Sequence, residues 1–525
     1  MFRSKEQANY AALIEKAITR PGSPLLAGAA AGLGKTHGFS IPLLQSGKRV
    51  AIAFSTRALI AQYLGSAALQ AAMQTAPQSS VAELLSRREF VSTRDYQAHR
   101  RRVLQAQVLL ITHAAALIDA RSPAYADLRS RDVLLFDEAD LLADAAQLRS
   151  TFQISPHVLK ECDAPDGQTT DPVSLRAVAE LVKRKAAEPE DRAAAAAMLY
   201  ALDTPRWYKR VGWSEQGELV LVHAMPGRML GPLLADAKRV IFTSGTLQVN
   251  GSFDHFVRAL GIKQIDPASR HIDPAQHGSL DIFVADSALT RHAQAQRIAQ
   301  APRPALVLTT SHVATKELAQ LLPDAVARGE HEPLAQALAR CGQGGVLIAA
   351  GAWSGLDEPR LRWATVAIPD VPYGVPTQVS GQAVSHYIDS VVCAVRRTNQ
   401  GLHRGLRSPD AHCKLLLLDA RFHRRELKAA IPSRFLAPDG ALPSVNEGAA
   451  QQVTQRERHV RAAALKLYGY QCMWPGCEVT QAHRLEAHHE VAIALGERHT
   501  RLADVKIYCA NHHRDAHQAM RLAGS

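Results

Sequence analysis

The chain has 525 residues, 47% of them hydrophobic and 21% charged, with a formal net charge of +12. That length predicts about three to four globular domains, and the positive charge favours a polyanionic partner. Seven cysteines are too few for a disulfide scaffold at this length. Residues 1–7 lack the apolar core of a signal peptide, and no apolar run is long enough to span a bilayer. A reducing, cytoplasmic setting without a membrane is therefore expected.

Residues 2–20 read as an amphipathic helix. Its Arg3 and Gln7 precede a phosphate loop at a distance suited to reading a nucleotide base. Leu25-Leu26-Ala27 is a short apolar strand, and Ala29-Ala30-Ala31-Gly32-Leu33-Gly34-Lys35-Thr36 follows it. Phe39-Ser40-Ile41-Pro42-Leu43-Leu44 then continues as a helix. Backbone N–H groups in such a loop cradle phosphates, and the helix N-terminus adds positive potential. The spacing of Ala29, Gly32, Gly34, Lys35 and Thr36 predicts this loop, with Ala29 in place of the usual first glycine. Lys35 would reach the β- and γ-phosphates, and the Thr36 hydroxyl would ligate Mg²⁺.

Val50-Ala51-Ile52-Ala53-Phe54 is a buried strand closed by Ser55-Thr56-Arg57, and a helix with Gln62 follows. Residues 87–102 interleave Arg87, Arg88, Arg94, Arg100, Arg101 and Arg102 with Phe90 and Tyr96, a mixture suited to phosphate contact and base stacking. Val108-Leu109-Leu110-Ile111-Thr112-His113 is the next strand. Val133-Leu134-Leu135-Phe136 then ends in Asp137-Glu138-Ala139-Asp140. Carboxylates at the C-terminal end of a parallel strand lie where the phosphate loop opens. Asp137 can hold Mg²⁺ through water, and Glu138 can orient and polarise the attacking water. Residues 141–225 read as a helix-rich, Ala-rich insertion with few strand signals. The lobe resumes at Arg239-Val240-Ile241-Phe242-Thr243-Ser244-Gly245-Thr246-Leu247.

A second strand and helix alternation opens at Ala305-Leu306-Val307-Leu308. It continues through Val346-Leu347-Ile348 to Gly351-Ala352-Trp353-Ser354-Gly355-Leu356-Asp357. Gln400-Gly401-Leu402-His403-Arg404-Gly405-Leu406-Arg407 precedes the strand Lys414-Leu415-Leu416-Leu417-Leu418-Asp419. Arg404 and Arg407 share a helix face and can both neutralise charge in a phosphoryl-transfer transition state.

Taken in order, these segments resemble the superfamily-two helicases of the XPD/DinG type over roughly residues 2–425. The resemblance implies an α/β fold of two RecA-like parallel-sheet lobes, residues 1–247 and 248–430. It places ATP and Mg²⁺ between them, with Gln7 and Asp357 at the nucleotide, and implies 5′ to 3′ movement on single-stranded DNA. The end of Val50–Phe54 would touch the nucleic-acid backbone. Family members commonly carry four cysteines for an iron–sulfur cluster between the regions of Gln62 and Asp137. This chain has none there, so no cluster is expected. His403 stands where the family usually has glycine.

Residues 431–452, rich in Pro and Gly, read as a linker. Beyond it, Cys472-Met473-Trp474-Pro475-Gly476-Cys477 forms a tight knuckle, and Cys509-Ala510-Asn511-His512 supplies a second pair. Three thiolates and one imidazole suit a structural Zn²⁺ site. Leu485-Glu486-Ala487-His488-His489 and His513-Arg514-Asp515-Ala516-His517 resemble HNH, or ββα-metal, nucleases over residues 453–525. That likeness implies His489 as general base, with His488, His513 and His517 holding a divalent Mg²⁺ or Mn²⁺. His512 and His513 could exchange roles, and Asp504 stands where the family usually has Asn.

The whole reads as an ATP-driven DNA helicase fused to an HNH endonuclease, similar to the DinG helicases of type IV CRISPR systems. Single-stranded and duplex DNA or an RNA–DNA hybrid would be its nucleic-acid partners, and a CRISPR RNA-guided effector complex its recruiting partner. A zinc tail that only anchors DNA, or a stand-alone repair or restriction helicase–nuclease, are the competing readings.

Overall fold

The computed structural model describes residues 2–436 except 31, 122–127, 129, 166–170, 205–208, 215, 224, 250, 276–277, 354–361, 375–377, 381, 384–386, 407 and 409. Beyond residue 436 it describes 465, 471–474, 477–480, 485–489, 505–509, 511–513 and 515–516. The chain divides into two compact units, Met1–Pro443 and Ser444–Ser525.

The larger unit is built on two parallel sheets, as the apolar runs predict. Strands buried on both faces need continuous rather than alternating hydrophobicity. The first lobe contributes β1 (Leu25–Ala29), β2 (Val50–Phe54), β3 (Val81–Glu83), β4 (Val108–Thr112) and β5 (Val133–Phe136). After the insertion strands β6 (Phe152–Ile154), β7 (Lys209–Trp213) and β8 (Leu219–His223), it adds β9 (Val240–Ser244) and β10 (Arg270–Ile272). Among the described residues the order is β10-β1-β9-β5-β2-β4-β3, with each pair parallel. Leu25, Ala27 and Ala29 of β1 pack into one helical layer, with Tyr10, Leu13 and Ile14 of the helix Lys5–Thr19. Leu26, one residue out of step, packs into the opposite layer. Arg131 is fully buried between strand ends. Its guanidinium donates to the carbonyls of Val50, Leu104, Ala106 and Gln107, so a cation caps backbone acceptors that would otherwise be buried without donors.

The second lobe contains β11 (Ser279–Val284), β12 (Ala305–Thr309), β13 (Ala325–Ala327), β14 (Val346–Ala350), β15 (Thr365–Ile368), the short β16 (Gln378–Val379) and β17 (Gln382–Ala383), and β18 (His412–Leu417). Its main sheet runs β11-β18-β15-β12-β14-β13, again with parallel pairs.

Three expectations change. The first lobe extends past residue 247, because β10 pairs with β1 from Ala27↔Arg270 to Ala29↔Ile272. The insertion is not purely helical. Helices Pro172–Lys185 and Pro189–Asp203 pack on an antiparallel sheet ordered β6-β8-β7. Its apolar strand β8 lies among Ala-rich helices, which dilute the strand signal. Lastly, the segment after 430 begins as part of the second lobe. Ile431 is buried in that lobe's core, and Phe435 and Leu436 pack against it. The remainder of the expected linker, 437–452, lies outside the described residues.

In the smaller unit, β19 (Leu485–His489) and β20 (Val505–Cys509) form an antiparallel pair. Helical backbone follows at 511–513 and 515–516. Leu465, Leu485, Ile507 and Ala516 form its buried core with the cysteines.

Candidate functional site

The loop after β1 turns through Gly32 and Gly34, at φ of +85° and +82°. Only glycine adopts this left-handed backbone without strain. Gly34 caps the helix Lys35–Gln45. A Cβ there would also sit 2.3 Å from Gln7 Nε2. Gln7 is fully buried. Its Nε2 donates to the Gly34 carbonyl at 3.0 Å, and its Oε1 accepts from the Arg3 N–H at 2.7 Å. The predicted base-reading residue is therefore fastened to the loop backbone in this structure.

A cleft of about 510 Å³ opens here between the lobes. Gly32, Gly34, Lys35, Thr36, Glu138 and Asp140 line one wall, and Gln400, His403 and Arg404 the other. Ala29 ends β1 just before it. Five of the predicted nucleotide residues thus converge with motif residues from the second lobe. Asp357 and Arg407 lie outside the described residues.

Asp137 and Glu138 directly follow β5. Burial raises the Asp137 carboxyl, with Lys35 opposing. Glu138 adopts a left-handed φ of 48°, and Ser55 Oγ donates to its Oε2 at 2.5 Å. Burial, then the charge of Asp137, pushes Glu138 up to about 7 while the Ser55 bond opposes. Polarising water needs the ionised form. The kcat/KM for ATP, which reports the free enzyme, should therefore fall as pH drops through about 7. Ser55→Ala removes a contact that stabilises the carboxylate, so it should move that acid limb to higher pH. A limb left in the usual carboxylate range would contradict the assignment.

Asp140 is the hub between the lobes. Ser244 Oγ donates to it at 2.5 Å, Thr246 Oγ1 at 2.7 Å and Gln400 Nε2 at 2.8 Å. Arg396 Nη2 lies 3.4 Å from Asp140 and 3.5 Å from Asp144. Burial would raise the Asp140 carboxyl, but Arg396 and the two hydroxyls hold it low. His113, after β4, meets the Asp137 carbonyl through Nε2 at 2.9 Å, and burial lowers it to about 4. Sequence reasoning missed Arg396, and it set Ser55 toward nucleic acid without its contact to Glu138. Arg396 had a signal, since it stands four residues before Gln400 and so shares its helix face. Arg404 rests on the second lobe itself, donating through Nε and Nη2 to the Trp353 carbonyl.

The arginine-rich stretch forms the helix Thr93–Val103. Its aromatics pack on each other: Phe90 lies 5.7 Å from Tyr96 and 5.0 Å from His99, centroid to centroid. They stay partly exposed, and Arg94, Arg101 and Arg102 are exposed beside them. Arg57 pairs with Glu83 and Glu89.

In the smaller unit, ligand atoms of Cys472, Cys477, Cys509 and His512 all lie within 4.8 Å of one another. His512 Nδ1 is 3.6 Å from Cys472 Sγ and 3.3 Å from Cys509 Sγ, and the Cys477 and Cys509 sulfurs are 4.0 Å apart. A tetrahedron with Zn–S of about 2.3 Å has edges of roughly 3.5–3.8 Å, so the donor set fits zinc. Trp474 stacks flat on His512 at 5.0 Å, fixing the imidazole. His513 instead sets its Nδ1 2.8 Å from Glu486 Oε2. His488 and His489 end β19, paired with Lys506 and Val505. His517 and Asp504 lie outside the described residues.

Residues 7–167 match the DEAD/DEAH box helicase family and residues 295–436 match the helicase C-terminal domain. These two domains, with a cleft carrying the phosphate loop and DEAD carboxylates, define an ATP-dependent helicase that binds nucleic acid. Its fold is of the XPD type. A solved XPD helicase superposes with a TM-score of 0.57 at 14% identity, covering 81% of this chain and 97% of that one. An apo XPD structure gives 0.56 at 15%, with 80% and 97% covered. Xpd4 of S. tokodaii gives 0.52 at 14%, with 80% and 96% covered. No curated protein matches the chain. Among the described residues no helix is long and apolar enough to cross a membrane.

Proposed function

We propose that this helicase translocates 5′ to 3′ on single-stranded DNA and that its tail is an HNH endonuclease, recruited to a type IV CRISPR RNA-guided complex. The observation that carries the nuclease reading is the smaller unit's sequence of elements. A knuckle with a zinc donor set leads into an antiparallel strand pair bearing His488 and His489, and then into helical backbone bearing His513. In the nucleotide cleft, Thr36 and Asp137 would hold Mg²⁺, which neutralises phosphate charge, while Lys35, Arg404 and Arg407 bind the phosphates and Glu138 orients water. In the tail, His489 takes a proton from water. His488, His513 and His517 would hold a divalent metal that supplies Lewis acidity toward the scissile phosphate. The Glu486 contact to His513 Nδ1 suits such a ligand, because a carboxylate on one ring nitrogen orients the other toward a metal.

The test is cleavage of a plasmid targeted by a type IV complex, with Mg²⁺ or Mn²⁺, with and without ATP. Motor and nuclease share one chain, so the nuclease is concentrated on DNA that the motor engages. Cutting should require ATP and yield ends spread along the translocated DNA. Equal cutting without ATP would leave two independent enzymes, and no cutting under any condition would favour a zinc tail that only anchors DNA.

A further inference from the structure

Arg434 belongs to none of the segments that carry the resemblance, yet it joins the two walls of the nucleotide cleft. It lies in the 3₁₀ turn Ser433–Phe435. Apolar neighbours hold that turn to the second lobe, with Ile431 buried and Phe435 packed against the core. From there its Nη1 makes an ion pair with Asp273 Oδ1 of the first lobe. Its Nη2 lies 3.1 Å from Nε2 of His403, on the opposite wall.

Both ends of this bridge touch the nucleotide machinery. Asp273 directly follows β10, the strand paired with β1, and the Ala30 N–H donates to the Ile272 carbonyl at 3.1 Å. Movement of Asp273 is therefore movement beside the phosphate loop. His271 of the same strand crosses Gly28 of β1 so closely that a Cβ on Gly28 would lie 2.5 Å from His271 Nδ1. On the other side, His403 lines the cleft between Gln400 and Arg404. A guanidinium can only donate, so His403 Nε2 must accept. Its Nδ1 then carries the hydrogen and donates to the Asn399 carbonyl at 2.7 Å. The helix Tyr387–Leu402 carries Gln400 but ends before His403 and Arg404, which lie in the turn after it rather than on the helix face expected from their spacing. Arg434 thus sets the tautomer and the ring orientation of a residue in the turn that presents Arg404.

We propose that Arg434 is a positioning residue for ATP hydrolysis, bridging Asp273 beside the phosphate loop to His403 and so fixing the distance across which Arg404 meets the nucleotide. The fork of a guanidinium suits this task, because one rigid plane serves two partners at once. Lysine at 434 could satisfy one partner but not both in fixed geometry. The inference rests on the cleft being the ATP site.

The test measures ATP turnover of the full chain in Arg434→Ala, Arg434→Lys and Asp273→Asn. Each should lower kcat by roughly ten- to a hundredfold, as expected for slight misplacement of transition-state groups. KM for ATP should stay within about twofold, since an interaction felt only in the transition state leaves ground-state binding unchanged. Asp273→Asn keeps every apolar contact of the 3₁₀ turn, so it separates positioning from folding. In a His403→Gly background, Arg434→Ala should cost little more, because its acceptor is already gone. Wild-type kcat in both Arg434→Ala and Asp273→Asn would overturn the proposal. So would an unchanged kcat with raised KM, or fully additive losses in the His403→Gly background. Failure of the ATP site itself would show separately, as turnover retained by Lys35→Ala.

Discussion

Lys35→Ala is expected to reduce ATP turnover by about 10²–10³-fold, the scale of losing one preorganised electrostatic contact to the reacting groups, and to abolish unwinding. Lys35 starts the helix behind the phosphate loop and lines the cleft. It is half exposed and belongs to neither apolar layer of the first lobe, so the variant should keep the melting temperature of the parent. Glu138→Gln is the informative companion. It retains shape and the contact with Ser55 but cannot polarise water, so it should bind ATP and fail to hydrolyse it. Its stability should not fall. Burial and Asp137 raise the Glu138 carboxyl to about 7, which means that the ionised form is disfavoured in the folded state. Such a group weakens the fold as pH rises from its unfolded value through about 7, and a neutral amide removes that cost. Turnover near wild type in either variant would sink the cleft as the ATP site.

In the tail, two substitutions should fail in different ways. Cys472→Ser removes one of four donors and should release zinc. The unit's buried core is small and contains Cys472 and Cys509 themselves, so zinc held by this donor set would supply much of its folding free energy. That variant should lose metal, lose cutting and become protease-sensitive over residues 444–525 alone. His489→Ala should lose cutting but retain zinc, ATP turnover and unwinding, because a general base contributes chemistry rather than a cross-link. Metal content by mass spectrometry, limited proteolysis and plasmid nicking read the three properties separately. A His489→Ala variant that still cuts at the parent rate would move the base to another histidine or remove the HNH reading. Zinc retained by Cys472→Ser would remove that thiol from the donor set.

Much of this was legible from local pattern. The phosphate loop, the DEAD carboxylates and the zinc knuckle are short-range features whose spacing is imposed by backbone geometry. A loop that wraps phosphate needs its small residues and lysine within one turn, and a metal knuckle needs its thiols a few residues apart. The insertion was less legible. Strand β6 is three residues long and pairs with β8, whose register Phe152↔Leu221 spans a long stretch of chain. Such a strand exists only because a distant one offers it hydrogen bonds. The aromatic residues at 90 and 96 show a contact that their spacing did not reveal. Interleaved with arginines they suit base stacking, and a helical return also brings them into contact with each other and with His99 while they stay partly exposed.

By itself the sequence determined the strand order along the chain, the two sets of motifs and the residue types each site would need, since hydrophobic period and motif spacing are local properties. Only the tertiary structure decided which of them meet. Asp140 is bound by Ser244, Thr246 and Gln400, residues more than a hundred positions away that the sheets and the cleft bring within hydrogen-bond reach. His512 rather than His513 completes the thiol cluster because of which imidazole stacks on Trp474 and which turns to Glu486. Adjacent histidines on a helical turn point about 100° apart, and the packing around them, not their spacing, selects the one that joins the thiols.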